Sequence, residues 1–305
     1  MAAPAPSRVA LVVHPSRAVD TAMAGLTTWA GAHGVEVVQL DVADYPDRQM
    51  APSGTLGPDD LVVALGGDGT VLAALRIAAA RDAPVMGVAC GSLGALSAVP
   101  AEQLGRALER VFAGKWSPRV ISALAVHAAG RHAEWAVNDF VVVRRGPGQL
   151  VVELLVDGER YARMAGDGLV VATPIGSSAY SMAAGGPIVA GGTPALVCTP
   201  LAMHGGSAPP LVVAADATVT VALTPGFAGY DIEIDGHDRM LDGLSFDLTL
   251  HPHKFVLVSF AATGRGLTGL RKRGLVTDSP RLLARDAREA NSPAATESRS
   301  LPPSG

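Results

Sequence analysis

Five apolar residues, Leu61-Val62-Val63-Ala64-Leu65, run without alternation straight into Gly66-Gly67-Asp68-Gly69-Thr70. A strand that is apolar at every position has both faces covered, the condition of a parallel strand inside an α/β layer. Residues 71–81, rich in Ala and Leu, follow with the composition of a helix. The junction therefore predicts strand, glycine loop and helix. Glycines permit positive φ and carry no side chains, so the loop N–H groups can face an anion at the helix N-terminus. Asp68 is the one carboxylate in the loop. It has two plausible roles: to take the proton from an attacking hydroxyl, or to hold a metal that bridges phosphates. The same residues would also serve an ordinary strand-to-helix turn with Asp68 as the cap. No Gly-Lys-Ser/Thr follows, so the loop is not of the Walker type.

Around this junction the chain alternates. Residues 9–13 are a β-branched run closed by His14-Pro15, residues 20–33 are helical with Gly34 at the stop, and residues 35–40 read as a second strand. Residues 85–88 predict another strand and 101–112 another helix. Together they predict a Rossmann-like α/β domain with a parallel sheet over residues 8–118, completed by part of 255–275. From about residue 119 the texture changes to recurring short strands, at 123–128, 135–144, 150–156, 169–172, 217–223 and 255–260. Residues 119–260 are accordingly expected to form a β-rich domain. Residues 277–305 are rich in Arg, Ser, Pro and Ala without apolar periodicity and are expected to be a disordered tail.

With 305 residues, 49% of them hydrophobic and 17% charged, there is ample apolar material for two cores. A net charge of −4 supplies no basic field for a nucleic acid. The two cysteines, Cys90 and Cys198, lie in apolar stretches without a second Cys or a His at ligand spacing. No disulfide framework or protein-held metal is expected, and a reducing cytoplasm suits them. The first apolar run is too short for a signal-peptide core or a membrane span.

A second glycine-rich segment runs Gly166-Asp167-Gly168-Leu169-Val170-Val171-Ala172-Thr173-Pro174-Ile175-Gly176-Ser177-Ser178-Ala179-Tyr180 and continues to Gly185-Gly186-Pro187. Small residues, hydroxyls and one aromatic together let a ligand lie against the backbone, with Tyr180 available for stacking. With the first loop, this segment resembles the NAD kinase family, whose hallmarks are GGDGT, an Asn-Glu pair and a DGLxxSTPTGSTAYxxSAGGP run. The resemblance spans residues 8–265. It implies an N-terminal α/β domain, a β-rich C-terminal domain, and phosphorylation of NAD by ATP, with Mg²⁺ or another divalent cation, on the 2′-hydroxyl of the adenosine ribose. It further implies that Asp68 is catalytic and that Gly66, Gly67, Gly69 and Thr70 line the phosphates. Asn138 and Asp139 match the Asn-Glu pair, with Asp139 one methylene shorter. Asp167 and Gly168 match the Asp-Gly near nicotinamide, and Thr173, Ser178, Ala179 and Tyr180 match the substrate loop. His204 and Asp235 match a histidine after Thr-Pro and a late Asp-Gly turn. The family is commonly homo-oligomeric.

The departures fall mostly on the acceptor side. Ala89 and Ala95 replace the family's Asn and Phe in the Gly87–Leu96 stretch, Ile175 replaces a Thr and Ala183 a Ser; His237 and Pro209 also differ. Removing a hydrogen-bonding group weakens discrimination for its partner more than an apolar trim does. Two other readings therefore stand beside NAD phosphorylation: a kinase of the same family acting on another hydroxyl, and a non-catalytic dinucleotide sensor. A lipid acceptor is disfavoured, because lipid kinases that share GGDG usually carry Gly-Thr-x-Asn-Asp where this chain has Gly94-Ala95-Leu96-Ser97.

Overall fold

The computed structural model describes residues 6–42, 48–92, 94–129, 132–190, 192–260, 270, 271 and 274–290. Met1–Arg265 form one compact unit and Gly266–Gly305 a second.

In the first unit, β1 (Arg8–Val13), α1 (Asp20–His33), β2 (Val37–Gln39), β3 (Asp60–Gly66), α2 (Asp68–Ala78), β4 (Val85–Ala89), β5 (Ser97–Pro100) and α3 (Leu104–Phe112) come first in chain order. Strands β2, β1, β3 and β4 lie side by side in parallel. Every residue of β3 is buried. Alternate residues of these strands feed two cores on opposite faces: Val9, Leu11, Leu61 and Val63 pack with α1 and α3 residues, and Ala10, Val12, Val62 and Ala64 pack with α2 residues. Unbroken apolar runs thus end up inside because both faces are covered, each buried Leu or Val contributing about 1.5–3 kcal/mol. Helix α2 starts at Asp68 itself, not at residue 71, so Asp68, Gly69 and Thr70 of the glycine loop belong to its first turn.

The remaining strands are β6 (Ser117–Ala128), β7 (Glu134–Ala136), β8 (Asp139–Arg144), β9 (Leu150–Val156), β10 (Glu159–Gly166), β11 (Gly168–Ala172), β12 (Ala195–Leu201), β13 (Leu211–Ala214), β14 (Val219–Thr224), β15 (Tyr230–Ile234), β16 (His237–Asp238) and β17 (Ser245–Ser259), with a short helix α4 (Tyr180–Ala183) after β11. The long β17 joins the two halves. Its C-terminal end pairs in parallel with β4 through Leu257 and Val85, while its body pairs antiparallel with β6 and β14. A second, antiparallel sheet has the order β13-β12-β11-β8-β15-β16. The fold is thus an α/β layer with a mostly parallel sheet, followed by a β-rich half.

Two expectations are adjusted. The single strand expected over 135–144 is interrupted at Val137-Asn138, whose N–H groups leave the ladder for the carboxylate of Asp235. In the second unit, the expected disordered tail contains a helix, Pro280–Ala290. Proline suits a first helical position, and Leu282, Leu283, Ala284 and Ala287 are strong helix formers. Leu282 and Leu283 are about half exposed, at 47% and 51%. Local propensity therefore accounts for this helix without burial.

Candidate active site

The parallel strands deliver their loops to one edge. The N–H of His14, just beyond β1, donates to Leu65 C=O, and the N–H of Cys90, just beyond β4, donates to Gly66 C=O, each at 2.9 Å. The glycine loop is thereby fixed between its neighbours. At Gly66 a Cβ would stand 2.1 Å from Thr70 Oγ1, so only glycine fits. The Thr70 hydroxyl is buried against Gly66 and has no hydrogen-bond partner among the described residues. At Gly69, by contrast, a Cβ would meet nothing within 4 Å, and the residue is exposed. The helix N-terminus is therefore open on that side.

Asp68 is half-buried in the first turn of α2. Its Oδ2 accepts the Ala95 N–H at 2.9 Å and its Oδ1 the Leu96 N–H at 3.0 Å. A Cβ on Gly94 would lie 2.0 Å from Oδ1, so the carboxylate occupies the space that a side chain there would need. Ala95 C=O is held in turn by the Arg119 guanidinium at 2.9 Å. A carboxylate oxygen has two lone pairs, so each oxygen of Asp68 keeps one for another donor or a cation. The replacement of Phe by Ala at position 95 leaves this clasp intact, because residue 95 contributes its backbone.

The second glycine-rich segment is laced to the interruption between β7 and β8. Thr173 Oγ1 donates to Val137 C=O at 2.6 Å, the Thr173 N–H donates to Asn138 C=O at 2.8 Å, and a Cβ on Gly176 would fall 1.9 Å from that same carbonyl. Ser178 Oγ donates to Ile175 C=O. These hydroxyls shape the loop from within. Gly168 has φ +156° and faces Val142 C=O so closely that a Cβ would be 1.9 Å away, which excludes any other residue. Asp235 also works from within. Its side chain is fully buried and accepts the N–H groups of Val137 and Asn138 and the Arg76 guanidinium of α2. With Gly236 it forms the tight turn between β15 and β16, both at positive φ.

The other polar groups of this region are Asn138, Asp139, Asp167, Glu233 and Tyr180. Asp139 is buried and accepts no hydrogen bond on its carboxylate among the described residues. Burial, with Asp235 and Glu233 nearby, pushes its pKa up to about 7. Tyr180 is 42% exposed, and its phenol is raised by partial burial and by the charges of Glu233, Asp139 and Asp167. Asp167 pairs with Arg144 Nε at 2.5 Å. Ala179 is the cap residue before α4, and exposed His204 pairs with Gln149 at 2.5 Å. Among the described residues no group of three or more His, Cys, Asp or Glu side chains is arranged to hold a metal ion, and no helix is long and apolar enough to cross a membrane.

Residues 58–116 match the family model of the ATP-NAD kinase N-terminal domain and residues 137–249 that of its C-terminal domain. The chain is 33% identical over 235 residues to the NAD kinase of Geotalea daltonii, covering 73% of this chain and 81% of that one. It is also 33% identical over 239 residues to the NAD kinase of Koribacter versatilis, covering 75% and 84%. The chain belongs to the NAD kinase family. Two solved structures share the fold: the yeast NADH kinase complexed with NADH (TM-score 0.74, 21% identity, 90% of this chain and 89% of that one) and an NAD kinase from Archaeoglobus fulgidus in complex with ATP (TM-score 0.67, 24% identity, 86% and 97%).

Within this NAD kinase fold, several groups at the site were not anticipated from sequence. Arg17 and His14 sit on the loop after β1, and the one sign of them was the abrupt close of the first apolar strand at His14-Pro15. Arg76 lies in the last turn of α2, in an otherwise unremarked Ala/Leu helix. Glu233 shares a sheet face with Asp139, since it pairs with Val141, two residues further along β8. Alternation along residues 230–234 was the available signal.

Proposed function

We infer that this protein transfers the γ-phosphoryl group of ATP to the 2′-hydroxyl of the adenosine ribose of NAD, giving NADP and ADP. Beside its family membership, the observation that carries the chemistry is Asp68: a carboxylate oriented by two backbone N–H groups at the open N-terminus of α2. In this reading Asp68 accepts a hydrogen bond from the 2′-hydroxyl, aligns its oxygen with the γ-phosphorus and takes the proton as the new O–P bond forms. The bond from the γ-phosphorus to the bridging oxygen breaks and its electron pair leaves with ADP. The N–H groups of the glycine loop and the dipole of α2 stabilise the phosphate charge without reorganising.

A divalent cation such as Mg²⁺ fits the donor set: it is held mainly by substrate phosphates with one or two carboxylates, and Asp68 has oxygen lone pairs to spare. It would supply charge neutralisation across the phosphates. Asn138, Asp139, Ala179 and Tyr180 are assigned to the dinucleotide, with Asp167 and Gly168 on its nicotinamide side. Thr173, Ser178 and Asp235 are assigned to shaping that pocket. The inward hydrogen bonds of these three residues support that reading. A cytoplasmic homo-oligomer is part of the same reading.

The acceptor substitutions bear on packing. Ala89 is buried in β4, and Ile175 packs against the core that contains Val71 and Leu75. The test is an acceptor screen with ATP and Mg²⁺, following product mass for NAD, NADH, nucleosides and lipids. NADP as the product supports the reading; phosphorylation of another acceptor alone, or of none, contradicts it.

A further inference from the structure

The strand order β2-β1-β3-β4 reverses between β1 and β3: the chain leaves β1 for β2 on one side, and leaves β3 for β4 on the other. In an open parallel sheet, the crevice outside the carboxyl ends of the strands at such a reversal is where ligands sit. Three loops meet there, after β1, β3 and β4, and the side chain of Arg17, on the first, reaches the other two. A Cβ placed on Gly67 would lie 3.2 Å from Cζ, Nη1 and Nη2 of Arg17 alike, and one on Gly91 would lie 3.3 Å from Nη1. Equal distances to the three atoms mean that the face of the guanidinium covers Gly67, which turns its N–H donors sideways along the loop.

The loop carrying Arg17 is held by other groups. His14 Nδ1 accepts the N–H groups of Ser16 and Arg17, each at 3.1 Å, and burial with the nearby Arg17 and Arg48 cations lowers the His14 pKa. Arg48 donates to the carbonyls of His14 at 3.0 Å and Arg17 at 2.5 Å. Arg48 is thus committed to the backbone. Arg17 is not: its side chain makes one long bond, 3.4 Å to Cys90 C=O, is exposed, and pairs with no carboxylate among the described residues. Asp68, in the first turn of α2, is turned instead toward Ala95 and Leu96.

We propose that Arg17 is a phosphate-binding residue of this site, its guanidinium taking oxygens of the terminal phosphates of the nucleoside triphosphate donor. The proposal rests on the kinase reading above. A planar, permanently charged fork suits two phosphate oxygens at once, a geometry that lysine does not reproduce. Substituents at Gly67 or Gly91 would push the fork away, which gives those two glycines a function besides backbone freedom.

The experiment measures dissociation constants of ATP, ADP, AMP and NAD for the wild type, Arg17→Met and Arg17→Lys, together with kcat and the two KM values. Loss of a charge-assisted contact predicts about ten- to a hundredfold weaker ATP binding in Arg17→Met. ADP should be affected less, AMP and NAD less than twofold, and Arg17→Lys should recover part of the loss. Unchanged ATP binding, equal losses for ATP and AMP, or parallel loss of NAD binding would overturn the assignment. Failure of the kinase reading shows separately, as absence of NADP formation in the wild type.

Discussion

The Arg76 guanidinium donates to Asp235 Oδ2 at 3.0 Å across 159 residues of chain, and the same carboxylate accepts the N–H of Val137 at 3.1 Å and of Asn138 at 2.6 Å. Helix α2 carries Asp68 in its first turn and Arg76 in its last, about 12 Å apart along the axis at 1.5 Å per residue. One helix therefore joins the glycine loop to the backbone that presents Asn138 and Asp139. Removing one member of a buried ion pair strands the other, at about 3–5 kcal/mol. Arg76→Met should lower stability by that amount in urea unfolding and raise the KM for NAD more than that for ATP. Equal effects on both KM values would break the proposed link.

Gly94 is a steric requirement of the Asp68 carboxylate rather than of the backbone, since a Cβ there would lie 2.0 Å from Oδ1. Gly94→Ala should displace that carboxylate and leave the two cores untouched. Because a misplacement of about 1 Å costs about 10²-fold, kcat should fall by roughly that factor with little change in thermal midpoint. A variant with wild-type kcat would show that Asp68 works from another position.

Asp139 should give the protein a distinctive pH dependence. Its pKa is about 7 in the folded chain, against about 4 for an unfolded Asp, so between those values the native state binds more protons. Stability then falls as pH rises from about 4 to about 7, by up to about 1.4 kcal/mol per pH unit, and the loss is complete above pH 7. Asp139→Asn should remove that slope and be relatively more stable at pH 8. Urea midpoints of both proteins from pH 5 to 8 measure it, and parallel curves would contradict it.

The architecture was legible where local composition dictates structure. The unbroken run 61–65 and the glycines after it required a covered strand and an open helix start, and both are present. The site was legible as two loops but not as a joined whole. Asp235 could be read locally as a hairpin residue, and it is one; that its carboxylate also binds residues 137 and 138 depends on strand pairing across nearly a hundred positions, which no local pattern encodes. Arg17 was hidden for a similar reason. An exposed arginine in a turn has no periodicity, and its place over Gly67 follows from the order of strands in the sheet. The helix Pro280–Ala290 was missed because propensity alone, without an apolar stripe against a core, gives a weak signal.

The most direct test of the whole account is the rate of NADP formation from ATP and NAD with Mg²⁺, compared between the wild type and Asp68→Asn. Loss of a general base predicts a fall in kcat of roughly 10²–10⁴-fold, with NAD and ATP affinities and the unfolding midpoint nearly unchanged. An Asp68→Asn protein that forms NADP at close to the wild-type rate would contradict the central role given to this carboxylate.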